Sequence, residues 1–342
     1  MLAKAGQVAL GVVRRGSAQG TKKGYDVMAE EFHGTVGSPE LDSIVDQSIQ
    51  VTHRTIKIDD VGGFRALDLA QLNGAVLALD WVVGRTHHIW GSAVMVAPGV
   101  ALTARHVVDA MREEGFLAQE GGYLLALGFH AHGVVFWNPD SFTPVGAGDV
   151  AVLTLVRATA SPSPSAGMPI PVSAATMAMR SPGEGERISM FGFTATDAVF
   201  EDGKTVALSL LGGVGPVLEI YPERRDQRLG GPSACVAATT VGGMSGGGAF
   251  DEQGRLIGLI SAGIGDDTSF ISFVWPCMFT PLQTAWPPGL VQERTTLHEL
   301  GRRGLCSVVG LDLVESHTSD DGAPCVSLRS EQSIRIIGPK DV

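Results

Sequence analysis

The chain has 342 residues, 44% of them hydrophobic and only 18% charged, with 45 glycines and 18 prolines. That much apolar material excludes wholesale disorder, and this density of glycine and proline argues for short strands and turns rather than a helical bundle. A net charge of −11 repels a phosphate backbone, and no apolar run reaches the ~18 residues of a spanning helix, so a nucleic-acid partner and a membrane span are both disfavoured.

At roughly 150 residues per folding unit, the length predicts two units with extensions. Residues 1–70 form an N-terminal extension. Lys4 precedes a weakly apolar stretch, 5–13, which Gln7 interrupts and Arg14 and Arg15 close. A secretory signal has a cleaner apolar run and a small-residue cleavage site, so the expected location is the cytoplasm. Within the extension, 44–58 predicts a strand and 64–72 a short helix; an inhibitory prosegment, a partner-docking arm and plain packing all remain open for it. From Ala75 the pattern changes. Residues 75–83 are apolar and β-prone, 89–97 follow, Pro98-Gly99 marks a turn, and 100–104 is again strand-like. Residues 123–129 and 133–137 predict two more strands, and 150–156 a continuous apolar strand. The stretch 158–171 holds Pro162, Pro164, Pro169 and Pro171. Proline cannot donate to a sheet, so this is a crossing between two β units. Strands resume at 187–193, 205–211, 217–221, 234–239, 247–250, 256–261 and 270–274. The predicted fold is all-β, with two tandem barrels over 75–157 and 181–285, a linker at 158–180, and short helical or irregular extensions. The tail, 290–342, has helix formers at 292–303 and extended stretches at 307–314 and 326–328. It either packs on the second barrel or forms a small appendage.

Cys235, Cys277, Cys306 and Cys325 include no C-x-x-C pair and are too few for a disulfide scaffold. Idle or buried thiols are expected, with a Cys306–Cys325 pair across a C-terminal hairpin as the alternative. His130 with His132, and His87-His88 in a turn, read as surface histidines, because no cysteine or carboxylate converges with them.

Three short segments carry chemistry. Gly242-Gly243-Met244-Ser245-Gly246-Gly247-Gly248 sets one hydroxyl among glycines, which allow a tight turn and free backbone N–H groups for a developing oxyanion. Leu102-Thr103-Ala104-Arg105-His106-Val107-Val108 follows a strand pair and supplies a histidine, the usual general base for a serine. Gly148-Asp149-Val150-Ala151-Val152-Leu153 opens an apolar strand with an acid that needs a partner if buried; the distal nitrogen of a histidine is one such partner.

In the order His106, Asp149, Ser245, these segments resemble the chymotrypsin-like (trypsin-like) serine proteases over about residues 75–285. The motifs are Thr103-Ala104-Arg105-His106, Asp149-Val150-Ala151-Val152-Leu153 and Gly243-Met244-Ser245-Gly246-Gly247, with 91–100 matching the hairpin before the histidine and 254–261 the strand pair after the serine. The resemblance implies two six-stranded antiparallel barrels and a serine endopeptidase. It assigns Ser245 as nucleophile, His106 as general base and Asp149 as the acid holding the histidine tautomer. The N–H groups of Gly243 and Ser245 become the oxyanion hole. It implies a protein or peptide substrate that adds a strand along Ser261, Ala262 and Gly263, and no metal or organic cofactor. A regulatory partner or prosegment is compatible with it, with the enzyme latent until activated.

Departures from the pattern narrow the branch. Met244 stands where secreted digestive members carry an Asp, and Val107 where they place a disulfide cysteine. Both favour the bacterial-style branch of HtrA and glutamyl endopeptidase types, here without a PDZ domain because the tail is too short for a complete one. Thr239, six residues before Ser245, falls at the floor of the primary pocket and lacks a carboxylate for Arg or Lys. Gly263 leaves the pocket entrance open and Ala262 is small. These point to an uncharged P1 side chain, or an acidic one if a nearby Thr or Ser assists. Gly243-Met244-Ser245-Gly246-Gly247 also fits the α/β-hydrolase elbow, which requires a helix after the serine and a later acid and histidine; hairpin residues follow instead. The alternative from another class is a protease-like fold that only binds.

Overall fold

The computed structural model describes residues 12–13, 30–32, 49–56, 64–83, 86–114, 122–130, 133–158, 170–199, 206–264, 267–284, 286, 294–318 and 324–329. Ahead of the barrels lies β1 (Ile49–Arg54). Barrel 1 contains β2 (Val76–Val83), β3 (Thr86–Ala97), β4 (Val100–Thr103), β5 (Gly122–His130), β6 (Gly133–Pro144) and β7 (Ala151–Arg157). These close in the order β7–β4–β3–β2–β5–β6, every ladder antiparallel. The near-continuous apolar run of β2 reflects burial on both faces. Leu77 and Leu79 join one packed layer with Met95, Leu153 and Trp137, while Val76 and Ala78 join another with Val94, Leu102 and Val152. The β3–β4 turn requires Gly99, whose φ is +67° and where a Cβ would stand 2.4 Å from the Trp286 carbonyl oxygen.

Between the barrels, β8 (Ile170–Ala175) runs parallel to β1 as a separate two-stranded pair. Pro171 is thus part of an edge strand, where its missing N–H is tolerated; Pro162, Pro164 and Pro169 lie outside the described residues. Barrel 2 contains β9 (Arg187–Val199), β10 (Val206–Tyr221), β11 (Ser233–Val236), β12 (Gly248–Phe250), β13 (Leu256–Ile264) and β14 (Thr268–Phe273). The pairs β9·β10, β10·β11, β11·β14, β14·β13, β13·β12 and β12·β9 are all antiparallel and close a six-stranded ring. The strands expected at 205–211 and 217–221 are one strand. Pro216 does not break it because β10 changes partner there: Pro216 is opposite Arg187 of β9, and Val217 opposite Val236 of β11.

Other expectations need correction. Residues 64–72 hold a short strand, Arg65–Leu67, and a 3-10 turn, Leu69–Leu72. The turn is capped by Asp68 and stopped by Asn73 in the left-handed region (φ 47°), so it does not extend into a helix. His87 and His88 are in β3 rather than a turn, and His87 Nδ1 meets buried Asp80 Oδ2 at 2.6 Å. His132 lies outside the described residues. The tail packs on barrel 2. Leu297 and Leu300 of the helix Leu297–Arg302 are buried, as are Val314 and Leu328 of the final hairpin (Val314–Thr318 with Pro324–Leu328), in one cluster with Trp275 and Met278. Cys306 precedes this hairpin, so no pair with Cys325 crosses it; all four cysteines are free. No helix among the described residues is long and apolar enough to cross a membrane.

Candidate active site

The helix α1 (Arg105–Glu113) starts immediately after β4, and its N-cap, Ala104, has no side chain to bond the first-turn N–H groups. Asp149 supplies that acceptor from the turn before β7. Its Oδ1 accepts the His106 backbone N–H at 2.9 Å, and its Oδ2 lies 2.8 Å from His106 Nδ1. A carboxylate at a helix N-terminus is favoured by the helix dipole. Asp149 is only 5% exposed, so both oxygens need these partners. The carboxylate accepts a hydrogen bond from Nδ1–H, which leaves Nε2 of a neutral ring as an acceptor. Arg105 steadies the same turn: its Nη1 donates to the Gly146 carbonyl at 3.2 Å and its Nε to Asp109 at 3.1 Å.

Ser245 sits in a turn whose polar groups can be accounted for one by one. The Gly242 carbonyl accepts from Thr194 Oγ1 at 2.7 Å and the Gly243 carbonyl from Ser92 Oγ at 3.0 Å. The Met244 carbonyl accepts from Gly247 N–H at 2.9 Å, and the Ser245 carbonyl from Ser92 N–H at 2.7 Å. Met244 N–H bonds the Val241 carbonyl and Gly246 N–H the Ile260 carbonyl. The N–H groups of Gly243 and Ser245 have no acceptor among the described residues. In each case the carbonyl of the same peptide unit is held on the protein side, so the N–H faces the other way. Gly243, Gly246 and Gly247 are obligatory. Gly243 has φ +91° and Gly246 φ +82°; a Cβ on Gly246 would stand 2.2 Å from the Ser92 carbonyl oxygen, and one on Gly247 2.1 Å from that of Phe191. Gly91 lets the two halves meet, since a Cβ there would lie 2.8 Å from Val107 and 2.9 Å from the Ser245 carbonyl oxygen. Among the described residues no hydrogen bond joins Ser245 Oγ to His106, a link that often tightens only with substrate bound.

Residues 261–263 lie on β13 with one side paired to β14, Ala262 opposite Phe270 and Gly263 opposite Ser269. On the other side the β12 ladder ends at Leu259 opposite Gly248, so this edge is open among the described residues, next to the Ser245 turn. The Ser261 side chain is buried and bonds Ser272 Oγ at 2.8 Å, so it has only its backbone to offer. Thr239 is half-buried, and its neighbour Thr240 was missed by motif reading. Thr240 Oγ1 would lie 2.9 Å from a Cβ on Gly263 and bonds Ser269 Oγ at 2.7 Å. Ser92 was missed as well. Both belong to short polar contacts between distant segments, which spacing cannot signal. No group of three or more His, Cys, Asp or Glu among the described residues is arranged to hold a metal ion.

Two closed antiparallel barrels, with the Asp–His pair on the first and the Ser245 turn on the second, are the chymotrypsin-like fold. Residues 91–259 match the family model of the trypsin-like peptidase domain. The chain thus carries a trypsin-like peptidase domain, and the matched segment contains His106, Asp149 and Ser245. Similar solved structures include the inactive form of the Rv3671c protease of M. tuberculosis H37Rv, at 15% identity over 60% of this chain and 86% of that one, with a TM-score of 0.35. They also include Deg5, at 18% identity over 59% and 85%, TM-score 0.38. A third is the MamO protease domain from Magnetospirillum magneticum, at 14% identity over 59% and 92%, TM-score 0.40. No curated protein compared with the chain matches it in sequence.

Proposed function

We propose that this peptidase domain is a serine endopeptidase working through His106, Asp149 and Ser245. The observation that carries the reading is the pair of unbonded N–H groups at Gly243 and Ser245, in a turn where the neighbouring N–H groups of Met244, Gly246 and Gly247 are all taken up internally. Two donors held beside one hydroxyl are what a tetrahedral oxyanion requires. In this reading Ser245 Oγ attacks the peptide carbonyl carbon as its proton passes to His106 Nε2. The carbonyl π electrons move to oxygen, which Gly243 and Ser245 N–H stabilise. The intermediate collapses, the C–N bond breaks, and the leaving amine takes the proton from His106. Water then repeats the sequence on the Ser245 ester and restores the hydroxyl. Asp149 stays ionised throughout and holds the imidazolium.

The substrate is a protein or peptide, and its backbone pairs with the open edge of β13 at Ser261, Ala262 and Gly263. Thr239 and Thr240 line the P1 pocket, whose hydroxyls suit an uncharged side chain. The missing Ser245–His106 bond favours one variant of this reading, an enzyme latent until a partner or substrate closes that gap. The test is fluorophosphonate labelling and peptide hydrolysis by the full chain beside Ser245→Ala. Labelling and turnover in the wild type alone are expected. A labelled or proteolytic Ser245→Ala protein overturns the assignment. A wild type that binds peptide without labelling or cleaving it establishes the binding-module alternative.

A further inference from the structure

At the end of barrel 1 remote from Asp149, a polar cluster has fewer acceptors than donors among the described residues. Arg157, the last residue of β7, is 3% exposed and its buried Nε has no hydrogen-bond partner among the described residues. Arg54, the last residue of β1, donates from Nε to Ser173 Oγ at 3.1 Å, and Asn73 Nδ2 donates to the same oxygen at 3.0 Å. Ser173, on β8 and 4% exposed, accepts both bonds. Its own hydroxyl hydrogen has no acceptor among the described residues. His130, the last residue of β5, closes the group beside Asn73, with a Cβ on neighbouring Gly74 falling 2.3 Å from its Nε2. Both arginines act on this ring electrostatically. Among the described residues no carboxylate forms an ion pair with Arg54 or Arg157.

Such an arrangement is incomplete. A guanidinium cannot be neutralised by losing its proton. Burying it without a counter-charge costs several kcal/mol. In a chain of net charge −11, a buried Arg157 and a part-buried Arg54 gathered in one corner are not explained by composition. Planar guanidinium forks fit oxyanions, and two positive charges match a dianion. We propose that Arg54, Arg157, Ser173 and Asn73, with His130, bind a phosphate dianion, either free inorganic phosphate or the phosphate of a small monoester. The ligand supplies an acceptor to Arg157 Nε and to the Ser173 hydroxyl, and a counter-charge to both guanidinium groups. The strand β8 already packs on barrel 1 through Val172 and Ala174, and an anion held between Arg54 and Arg157 adds a tie from β1 to the end of β7. Arg157 is about 20 Å along β7 from Ala151, so binding here is separable from the chemistry at Ser245.

The test titrates inorganic phosphate, and separately glycerol phosphate, into the full chain in phosphate-free buffer at matched ionic strength, read by calorimetry and thermal melts. Saturable one-to-one binding with a rise in Tm is expected. Arg157→Met and Arg54→Gln should each weaken binding by at least about tenfold. Ser173→Ala, a smaller change that keeps both arginines, tests the site should Arg157→Met fail to fold. Tighter binding of the monoester identifies an esterified phosphate as the source. No saturable binding of either anion by the wild type, or equal binding by Arg54→Gln and Ser173→Ala, overturns the proposal whatever the result of the labelling at Ser245.

Discussion

Replacing Ser92 by alanine tests how barrel 1 holds the Ser245 turn. Ser92 is fully buried; its Oγ accepts the Phe193 N–H at 2.8 Å and donates to the Gly243 carbonyl at 3.0 Å. Alanine keeps the shape and removes both bonds. The Phe193 N–H is left in the closed core, at about 1–3 kcal/mol. The Gly243 carbonyl, half-buried, recovers some solvation and loses only the net value of its bond, about 0.5–1.5 kcal/mol. Together these destabilise the fold by about 1.5–4.5 kcal/mol, which at about 2–4 °C per kcal/mol lowers Tm by about 3–18 °C. The catalytic effect is bounded by the anchor bond alone. Its loss biases the turn by about two- to thirteenfold, so kcat falls by about thirteenfold at most. KM stays constant because the β13 edge is untouched. Melts by circular dichroism and fluorophosphonate labelling rates at 25 °C measure the two effects separately. An unchanged Tm would refute the bridging role, and a kcat loss far beyond tenfold would mean that Ser92 takes part in the chemistry.

Asp149→Asn should lower kcat by about 10⁴-fold, as expected when the acid that sets a catalytic histidine's tautomer is neutralised; near-wild-type turnover would exclude the Asp–His pair from the mechanism. Gly246→Ala should give little folded protein, because the backbone there has φ +82° and the new Cβ would meet the Ser92 carbonyl oxygen at 2.2 Å and Thr103 Oγ1 at 2.3 Å; soluble expression with a wild-type melt would contradict the packing of the turn. His130 provides a pH signature. Burial first, then Arg157 and Arg54, lowers its pKa from 6.5 to about 4. The folded state therefore favours the neutral ring, and its contribution is present above pH 6.5 and lost as the pH falls towards 4. His130→Gln should flatten the Tm profile across that window relative to the wild type. Superimposable profiles would count against the burial of this ring.

Much of the site was legible because it rests on local chemistry. A serine between glycines, a histidine after an apolar hairpin and an acid opening an apolar strand each state a backbone requirement within a few residues. Their order then places them on two barrels. The glycines could be read as a tight turn, and the structure adds the reason for two of them: the Ser92 carbonyl against Gly246, Phe191 against Gly247. Strand positions in the barrels followed from apolar runs, with the ends displaced where partners change, as at Pro216.

The rest depends on contacts that no spacing encodes. Ser92 and Thr240 are ordinary residues in sequence, and become connectors only when β3 meets the Ser245 turn and Gly263 meets Thr240. His130 reads as a surface histidine until the chain brings Gly74, Arg54 and Arg157 around it. Asp149 is given one partner by motif reading and has two, because the uncapped start of α1 offers a backbone N–H as well as a ring nitrogen. Hydrophobic periodicity and glycine conformation act over a few residues, so the barrels and the order of the reactive groups can be read along the chain. Which donors are left without acceptors depends on segments up to 151 positions apart meeting in a medium that excludes water, and so appears only once the chain is folded.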